Sequence, residues 1–324
     1  MVDITHSFVA FFFVAVFGLI FGSFVNVVIY RLPIMEGRQW RSMALETLQE
    51  DAEEQKRRES RSAPGETPER AEEAVVLSDA ALAELKKARA DHEAERFSLV
   101  YPPSHCPGCH APVKPLSNIP LLSFIVQRGK CKSCGHPISW QYPIVEFLAA
   151  LGFVACYARW GMTIQTLCGA LFTLILLAAS GIDWQRKYLL DVLTLPLMWA
   201  GLLVNAYEIF TPLFNAVVGA AAGYMSLWLI FQLFKLVTGK EGMGYGDFKL
   251  VAALGAWLGY AMLPVVILLS AVLGVVGSLL VMKAKPNERV PFGPYLALAG
   301  WLCFAQSDQV NVLIDWWLAK SGFM

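Results

Sequence analysis

The chain has 324 residues, of which 56% are hydrophobic and 16% are charged, and its formal net charge is zero. A soluble domain carries about 25% charged residues, so the composition excludes an ordinary soluble protein and favours a membrane protein. The zero net charge gives no electrostatic reason to expect nucleic acid as a partner. The charges are also unevenly placed, because 27 of the 52 fall between Glu36 and Arg96.

Eight apolar stretches are predicted to form helices that cross a bilayer, which needs about 20 mostly apolar residues each. The first, residues 8–30, follows a segment without lysine or arginine, so we interpret it as a retained transmembrane helix and not as a cleaved signal. The others are 143–160, 163–182, 190–210, 212–236, 248–262, 264–282 and about 291–306. The sequence therefore predicts an all-α polytopic membrane protein.

Basic residues predict how these helices are oriented, because lysine and arginine are concentrated in cytoplasmic loops. One set of loops carries Arg31, Arg38, Arg41, Arg186, Lys187, Lys235, Lys240, Lys283, Lys285 and Arg289, and the opposite turns carry Arg159 and Lys320. This bias predicts an N-terminus on the outer side of the membrane and a cytoplasmic position for residues 31–142, Asp183 and Asp247.

A strongly charged insert is predicted after the first helix. Segments 42–60 and 74–97 have helical composition and are separated by the turn-rich stretch RSAPGETPE. Charge-rich insertions usually form solvated surface, so we assign no chemistry to this one. The predicted domains are 1–35 (first transmembrane helix and exit), 36–100 (charged helical insert), 101–142 (cytoplasmic four-cysteine domain) and 143–324 (membrane domain).

Two C-x2-C pairs, Cys106 with Cys109 and Cys131 with Cys134, are separated by 21 residues. Each pair presents two sulfurs to one point, and four thiolates suit a tetrahedral Zn²⁺ ion in a zinc-ribbon-like domain. The alternative, a pair of disulfides, is disfavoured by the predicted cytoplasmic position. Four thiolates leave no position for a substrate, so a metal bound here is expected to be structural.

Other potential metal ligands are less favoured. His105, His110 and His136 lie beside the cysteine pairs and are possible substitute ligands. Cys156, Cys168 and Cys303 fall in apolar spans, where we interpret them as small buried residues.

Three aspartates lie beside apolar spans at the predicted cytoplasmic end. Asp183 and Asp191 bound the stretch DWQRKYLLD, and Asp247 ends the motif G-Y-G-D, in which Gly244 and Gly246 allow the backbone to pass close to a substrate. Ionisable groups at such positions are costly and often functional. Two neighbouring carboxyl groups can share a proton and activate water, as in aspartic proteases.

A purely structural alternative exists for each aspartate. A carboxylate at a helix start can be an N-cap, and this interpretation suits Asp191 better than Asp183. The spacing G-x-G-D is also short enough to occur by chance. No zinc-protease H-E-x-x-H, serine G-x-S-x-G or phosphate-loop motif competes with the aspartates as the source of chemistry.

The motifs together resemble the type IV prepilin leader peptidases, which are bifunctional prepilin peptidase/N-methyltransferases and aspartic proteases of the GxGD type. The resemblance covers FGSFVNVVIYRLP (21–33), the cysteine block (101–146), IDWQRKYLLD (182–191), GMGYGDFKLVAALGAWLG (242–259) and PFGPYLALAG (291–300). It implies that Asp183 and Asp247 are the catalytic pair in a membrane aspartic peptidase domain, 143–324, and that the four cysteines hold structural zinc.

The resemblance also implies the substrates and the setting. Prepilins and pseudopilins carry a short basic leader that ends in glycine, and cleavage after this glycine takes place at the cytoplasmic side of the bacterial inner membrane. The new N-terminus is then methylated from S-adenosylmethionine. Expected partners are the machinery of type IV pili or type II secretion and the lipid bilayer. Two departures are Leu190, where the family usually has proline, and the long insert at 36–97.

The methyl-donor site is not identified by the sequence. No glycine-rich Rossmann motif is present. Gly22, Asn26 and Arg31 are candidates, and helix packing is an equally good explanation for them. Two other functions remain as alternatives: a GxGD protease that cuts other substrates within the membrane, and a transporter whose aspartates bind a cation.

Overall fold

The structure is a computed structural model that describes residues 2–61, 83–84, 86–87, 97–113, 118–240, 242–279 and 290–321. Helices dominate this part of the chain, and it contains no β-strand. The helices are α1 (Val2–Arg61), α2 (Leu122–Val126), α3 (Gln141–Trp160), α4 (Ile164–Arg186), α5 (Asp191–Asn205), α6 (Leu213–Thr238), α7 (Tyr245–Leu258), α8 (Leu263–Gly277), α9 (Gly293–Ala305) and α10 (Ser307–Ser321). The predicted all-α class is confirmed.

Two compact units divide the chain: Met1–Ile29 with Cys106–Met324, and Tyr30–His105. In the second unit the guanidinium of Arg31 donates to the carbonyl of Ser98 at 2.9 Å and also lies over the ring of Phe97. The predicted helix 42–60 is part of α1, which continues to Arg61 because its polar half is rich in strong helix formers. The predicted helix 74–97 falls almost entirely outside the described residues.

Among the described residues, five helical segments are long and apolar enough to cross a membrane: Phe8–Glu54, Gln141–Trp160, Ile164–Arg186, Leu213–Thr238 and Tyr260–Gly277. Two shorter apolar helices, α5 and α9, accompany them. Hydropathy had also indicated a span at 248–262, where α7 has only 14 residues. At 1.5 Å per residue α7 is about 21 Å long, which is shorter than the bilayer core of about 30 Å.

Helix α7 is the centre of the core. Most of its residues are buried, including Phe248 and Trp257, and it packs chiefly against α6 and α5. The contact with α6 is unusually close, because a Cβ added at Gly219 or at Gly255 would collide with the carbonyl of the other. Small residues that let backbones approach are the usual means of packing helices in membranes. This arrangement fixes the start of α7, which carries Asp247.

The end of the bundle away from Asp247 is closed by side-chain hydrogen bonds. The side chain of Asn205 is fully buried; its amide nitrogen donates to the carbonyls of Ala256 and Trp257, and its oxygen accepts from the N–H groups of Phe210 and Thr211. All four hydrogen-bonding positions of this amide are therefore used.

Candidate active site and metal centre

Asp183 and Asp247 lie at the same end of the bundle and are both buried. Asp183 is near the end of α4 and 4% exposed, and Asp247 is in the first turn of α7 and 9% exposed. The two carboxyl groups are close enough to interact electrostatically. The structure therefore brings together the two aspartates that the sequence analysis paired.

Each carboxylate is held by a backbone N–H group of a glycine. Gly293, at the start of α9, donates to Oδ2 of Asp183 at 2.9 Å. The N–H of Gly244 bonds to the carboxylate of Asp247. Hydrogen bonds of this kind orient a carboxylate and stabilise its ionised form. They leave further acceptor positions on both side chains for water or substrate.

The bond between Gly244 and Asp247 is also a helix-capping interaction. Gly244 is the N-cap of α7, and Asp247 is the third helical residue, which is the position from which an acidic side chain can reach back to the N-cap N–H. Capping by itself does not account for Asp183, which is three residues from the end of its helix and takes its bond from α9. The arrangement as a whole is a pair of buried carboxyl groups that are close enough to interact.

The backbone around the pair has little room for additional side chains. A Cβ added at Gly293 would lie 2.7 Å from Oδ2 of Asp183. A Cβ added at Gly246 would lie 2.7 Å from Cβ of Leu189. At Gly244 the nearest atom to an added Cβ would be Oδ2 of Asp247, at 3.9 Å. The two glycines of the G-x-G-D motif therefore differ, since only Gly246 is sterically required to be glycine.

Asp191 lies at the same end in a different environment. It is the first residue of α5, and the N-cap is Leu190, so Asp191 is not the N-cap that the sequence suggested. Lys249 contacts both of its carboxylate oxygens, at 2.7 and 2.6 Å, and the Asp191 side chain is 56% exposed. An exposed carboxylate in an ion pair is suited to the surface and not to a shared-proton pair.

The candidates for a methyl-donor site are engaged in contacts of their own. A Cβ at Gly22 would lie 2.8 Å from Cα of Glu146, so α1 and α3 are in close contact there. The amide of Asn26 donates to the carbonyls of Gly22 and Tyr142. Arg31 holds the carbonyl of Ser98 as described above. These contacts favour the packing explanation for all three residues.

The four sulfurs of Cys106, Cys109, Cys131 and Cys134 lie within 4.8 Å of one another. The distance between Cys106 Sγ and Cys134 Sγ is 3.8 Å. A tetrahedral Zn²⁺ with bonds of about 2.3 Å requires sulfur–sulfur distances of about 3.8 Å. The donor set and its spacing therefore fit this ion, and the two cysteine pairs come together as predicted.

The two C-x2-C turns have the same backbone design. In each, the N–H of the fifth residue donates to the carbonyl of the first cysteine at 2.9 Å: His110 to Cys106, and Gly135 to Cys131. The backbone is in the left-handed region at both fifth residues, with φ of 56° at His110 and 73° at Gly135. The position of His110 in the turn makes it a structural residue of the loop.

Backbone N–H groups also stabilise a thiolate, which is the form of cysteine that binds a metal cation. The N–H groups of Ser133 and Cys134 donate to the sulfur of Cys131 and lower the pKa of its thiol to about 6. For Cys134 the N–H of His136 favours the thiolate, but burial and the neighbouring sulfurs raise the pKa of the thiol to about 12. Without a cation, the four sulfurs therefore compete for negative charge. A divalent ion would remove that competition.

Two residues at the aspartate pair were not identified from the sequence. Gly293 belongs to the stretch PFGPYLALAG, which carried part of the resemblance but no assigned role. Leu189 belongs to the stretch IDWQRKYLLD, which also carried part of the resemblance, but it was given no role. A glycine next to a proline, as in PFGP, is a weak signal for close backbone approach.

Comparison with protein families gives two matches that together cover most of the chain. Residues 16–160 match the Bacterial Peptidase A24 N-terminal domain, and residues 170–279 match the Type IV leader peptidase family. The first range includes the four cysteines. The second includes Asp183 and the G-Y-G-D motif, but it ends before Gly293.

Curated relatives are similar to nearly the whole chain. A Prepilin leader peptidase/N-methyltransferase of Neisseria gonorrhoeae is 40% identical over 304 residues, which are 94% of this chain and 93% of that protein. Proteins with the same name are 41% identical in Aeromonas hydrophila (95% of this chain, 93% of that protein) and 42% identical in Pseudomonas aeruginosa (91% and 89%). No solved structure gives a significant match.

Proposed function

Because the chain belongs to the type IV leader peptidase family, we propose that it removes the leader from prepilins and pseudopilins and methylates the new N-terminus. The observation that carries the peptidase part is the pair Asp183 and Asp247. These side chains are buried together at one end of the bundle, and each accepts a glycine N–H. This geometry is suited to an aspartic endopeptidase.

In the proposed reaction the two carboxyl groups share one proton. The ionised carboxylate takes a proton from a water molecule, and the water oxygen attacks the carbonyl carbon of the scissile peptide. The protonated carboxyl donates to the carbonyl oxygen as negative charge develops there. When the tetrahedral intermediate collapses, the carbon–nitrogen bond breaks and the leaving amine takes the proton that the carboxylate had removed from water, which restores the shared-proton pair. Gly293 and Gly244 keep the two carboxylates oriented during these steps.

We place the site at the cytoplasmic side of the inner membrane. The lysine and arginine bias supports this orientation. The scissile bond is then the one after the glycine that ends the leader, with a hydrophobic helix following it in the substrate. A pilus or a type II secretion system would use the product.

Zinc is the metal that we propose for the four cysteines, in a structural role. Closed four-thiolate coordination stabilises a small loop-rich domain and supplies no catalytic water. Methylation draws on S-adenosylmethionine, and we assign no residues to its site. Gly22, Asn26 and Arg31 are better explained as structural residues, because Gly22 lies at a helix contact and the other two side chains donate to backbone carbonyls.

Mass spectrometry of a prepilin co-expressed with the protein tests the proposal. We expect the product to lack its leader and to carry one additional methyl group. Asp247→Asn should leave the prepilin intact. Asp308→Asn is the matched control, because Asp308 is 84% exposed and pairs with Arg159 at the other end of the bundle; its product should be normal. Normal processing by Asp247→Asn would refute the aspartic mechanism. A cut within the hydrophobic helix would favour the alternative intramembrane protease.

Metal analysis of the purified protein tests the zinc centre. We expect about one zinc per chain in the wild type, as a single four-thiolate site requires. Cys131→Ser should lose the metal, whereas Cys168→Ser, which changes a half-buried cysteine of α4, should retain it. Equal zinc in both variants would show that the four sulfurs do not form the site.

A further inference from the structure

Leu189 contacts both glycines that flank the aspartate pair. It is a half-buried residue of the short loop between α4 and α5, six positions after Asp183. Its Cβ lies where a side chain on Gly246 would begin, at 2.7 Å from the added atom, and its Cδ2 lies 3.2 Å from a Cβ added at Gly293. Gly246 directly precedes Asp247, and Gly293 donates to Asp183. One leucine side chain therefore lies against both halves of the site.

The loop holds Leu189 in this position through its backbone. Lys187 is left-handed, with φ of 61°, and its N–H donates to the carbonyl of Asp183 at 2.8 Å. The chain thus turns immediately after the helix that carries Asp183. Leu190, which follows, is buried and is the N-cap of α5. Leu189 therefore lies in a short segment that is anchored at Lys187 and at Leu190.

The proposed chemistry places a substrate backbone next to this side chain. The attacked carbonyl carbon has to lie within reach of both carboxyl groups. A Cβ on the residue that precedes the cut would be only about 2.5 Å from that carbon, given standard bond lengths. Leu189 lies against the glycines beside both aspartates, so its side chain is positioned to limit the room for such a Cβ.

We propose that Leu189 is a specificity-determining residue that restricts the substrate position before the scissile bond to glycine. This inference depends on the proposed peptidase function. The leucine side chain sterically excludes a substrate side chain beside the aspartate pair, so a glycine fits there. Leu189 affects which substrate is cleaved and takes no part in proton transfer.

The test measures cleavage of two prepilins that differ in one residue, with glycine or alanine before the cut, by the full-length protein in membranes. The wild type should cleave the glycine substrate at least about tenfold faster, which is typical of discrimination by one methyl group. Leu189→Ala should reduce this preference to within about threefold. Leu195→Ala is the matched control, because Leu195 is exposed on the outer face of α5 and its variant should keep the wild-type preference.

The outcomes separate this inference from the proposed function. Failure of the wild type to cleave the glycine prepilin would refute the proposed function itself. If Leu189→Ala cleaves the glycine substrate and still rejects alanine, the inference is wrong. If Leu189→Ala cleaves neither, Leu189→Val replaces it: a higher alanine-to-glycine rate ratio than the wild type supports the inference, and an unchanged ratio overturns it.

Discussion

Buried polar side chains at the two ends of the helical bundle are used in opposite ways. At one end, Asn205 has all four of its hydrogen-bonding positions filled by backbone groups. At the other end, Asp183 and Asp247 each accept a single glycine N–H that the described residues supply. A carboxylate can accept about four hydrogen bonds, so both aspartates keep most of their capacity.

This difference separates a structural polar group from a reactive one. A buried polar group with all its partners rigidifies the fold, whereas one with few partners costs free energy unless something else binds it. Water can donate to an ionised carboxylate, and a protonated carboxyl can donate to a peptide carbonyl. The comparison therefore supports a structural role for Asn205 and the catalytic role that we propose for the two aspartates.

The largest effect should come from the aspartate end. Asp183→Asn and Asp247→Asn should each reduce prepilin cleavage by about 10³-fold or more, because neither variant retains a carboxyl pair that can share a proton. The apparent melting temperature of both variants in detergent should not fall, since the amide removes a buried charge and keeps the shape. Residual cleavage near the wild-type rate, or collapse of the fold, would contradict the assignment.

At the opposite end, the effect should be on stability alone. Asn205→Ala leaves the N–H groups of Phe210 and Thr211 without their acceptor, which should cost about 3 kcal/mol of unfolding free energy. Cleavage per folded molecule should be unchanged. Thermal unfolding and a rate corrected for folded protein measure the two quantities. If Asn205→Ala lowered the cleavage rate without lowering stability, the Asn205 end would also contribute to catalysis, and the two ends would not differ in role.

The two glycines of G-Y-G-D should respond differently to alanine. Gly246→Ala places a Cβ 2.7 Å from Leu189 Cβ, and the necessary shift should lower cleavage by about tenfold or more, in line with overpacking. Gly244→Ala places its Cβ 3.9 Å from the nearest atom, and the φ of −84° is normal for alanine. Its rate should stay within about threefold of the wild type, a range that covers ordinary surface changes. Similar losses in both variants would show that the backbone at Gly244 matters in a way that the structure does not indicate.

Much of the architecture was predictable because it depends on local pattern. Apolar runs of about 20 residues predicted α3, α4 and α6, and the basic loops placed Asp183 and Asp247 at one end. The spacing of the C-x2-C pairs predicted the cluster of four sulfurs. Each of these inferences uses information from one short segment, or from the way in which basic and non-basic loops alternate along the chain.

The remaining features depend on contacts between distant segments. Gly293 reaches Asp183 across 110 positions of the chain, and no local pattern encodes that bond. Helix α7 was counted among the spans because hydropathy does not distinguish a helix buried in protein from one that faces lipid. The role of Leu189 comes from its position between Gly246 and Gly293, which only the folded chain brings together.

The smallest effect is expected at Asp191, the third acidic residue of the aspartate end. Its ion pair with Lys249 is largely exposed, with side-chain exposures of 56% and 28%, so it should contribute no more than about 1 kcal/mol to stability. Asp191→Asn should keep the cleavage rate within about threefold of the wild type, since a surface ion pair changes little. The double variant Asp191→Lys with Lys249→Asp should match it, because the pair is restored with its charges exchanged. A loss as large as that of Asp183→Asn would mean that a third carboxylate takes part in the chemistry, and exposure would then be a poor guide to which acids at this end are reactive.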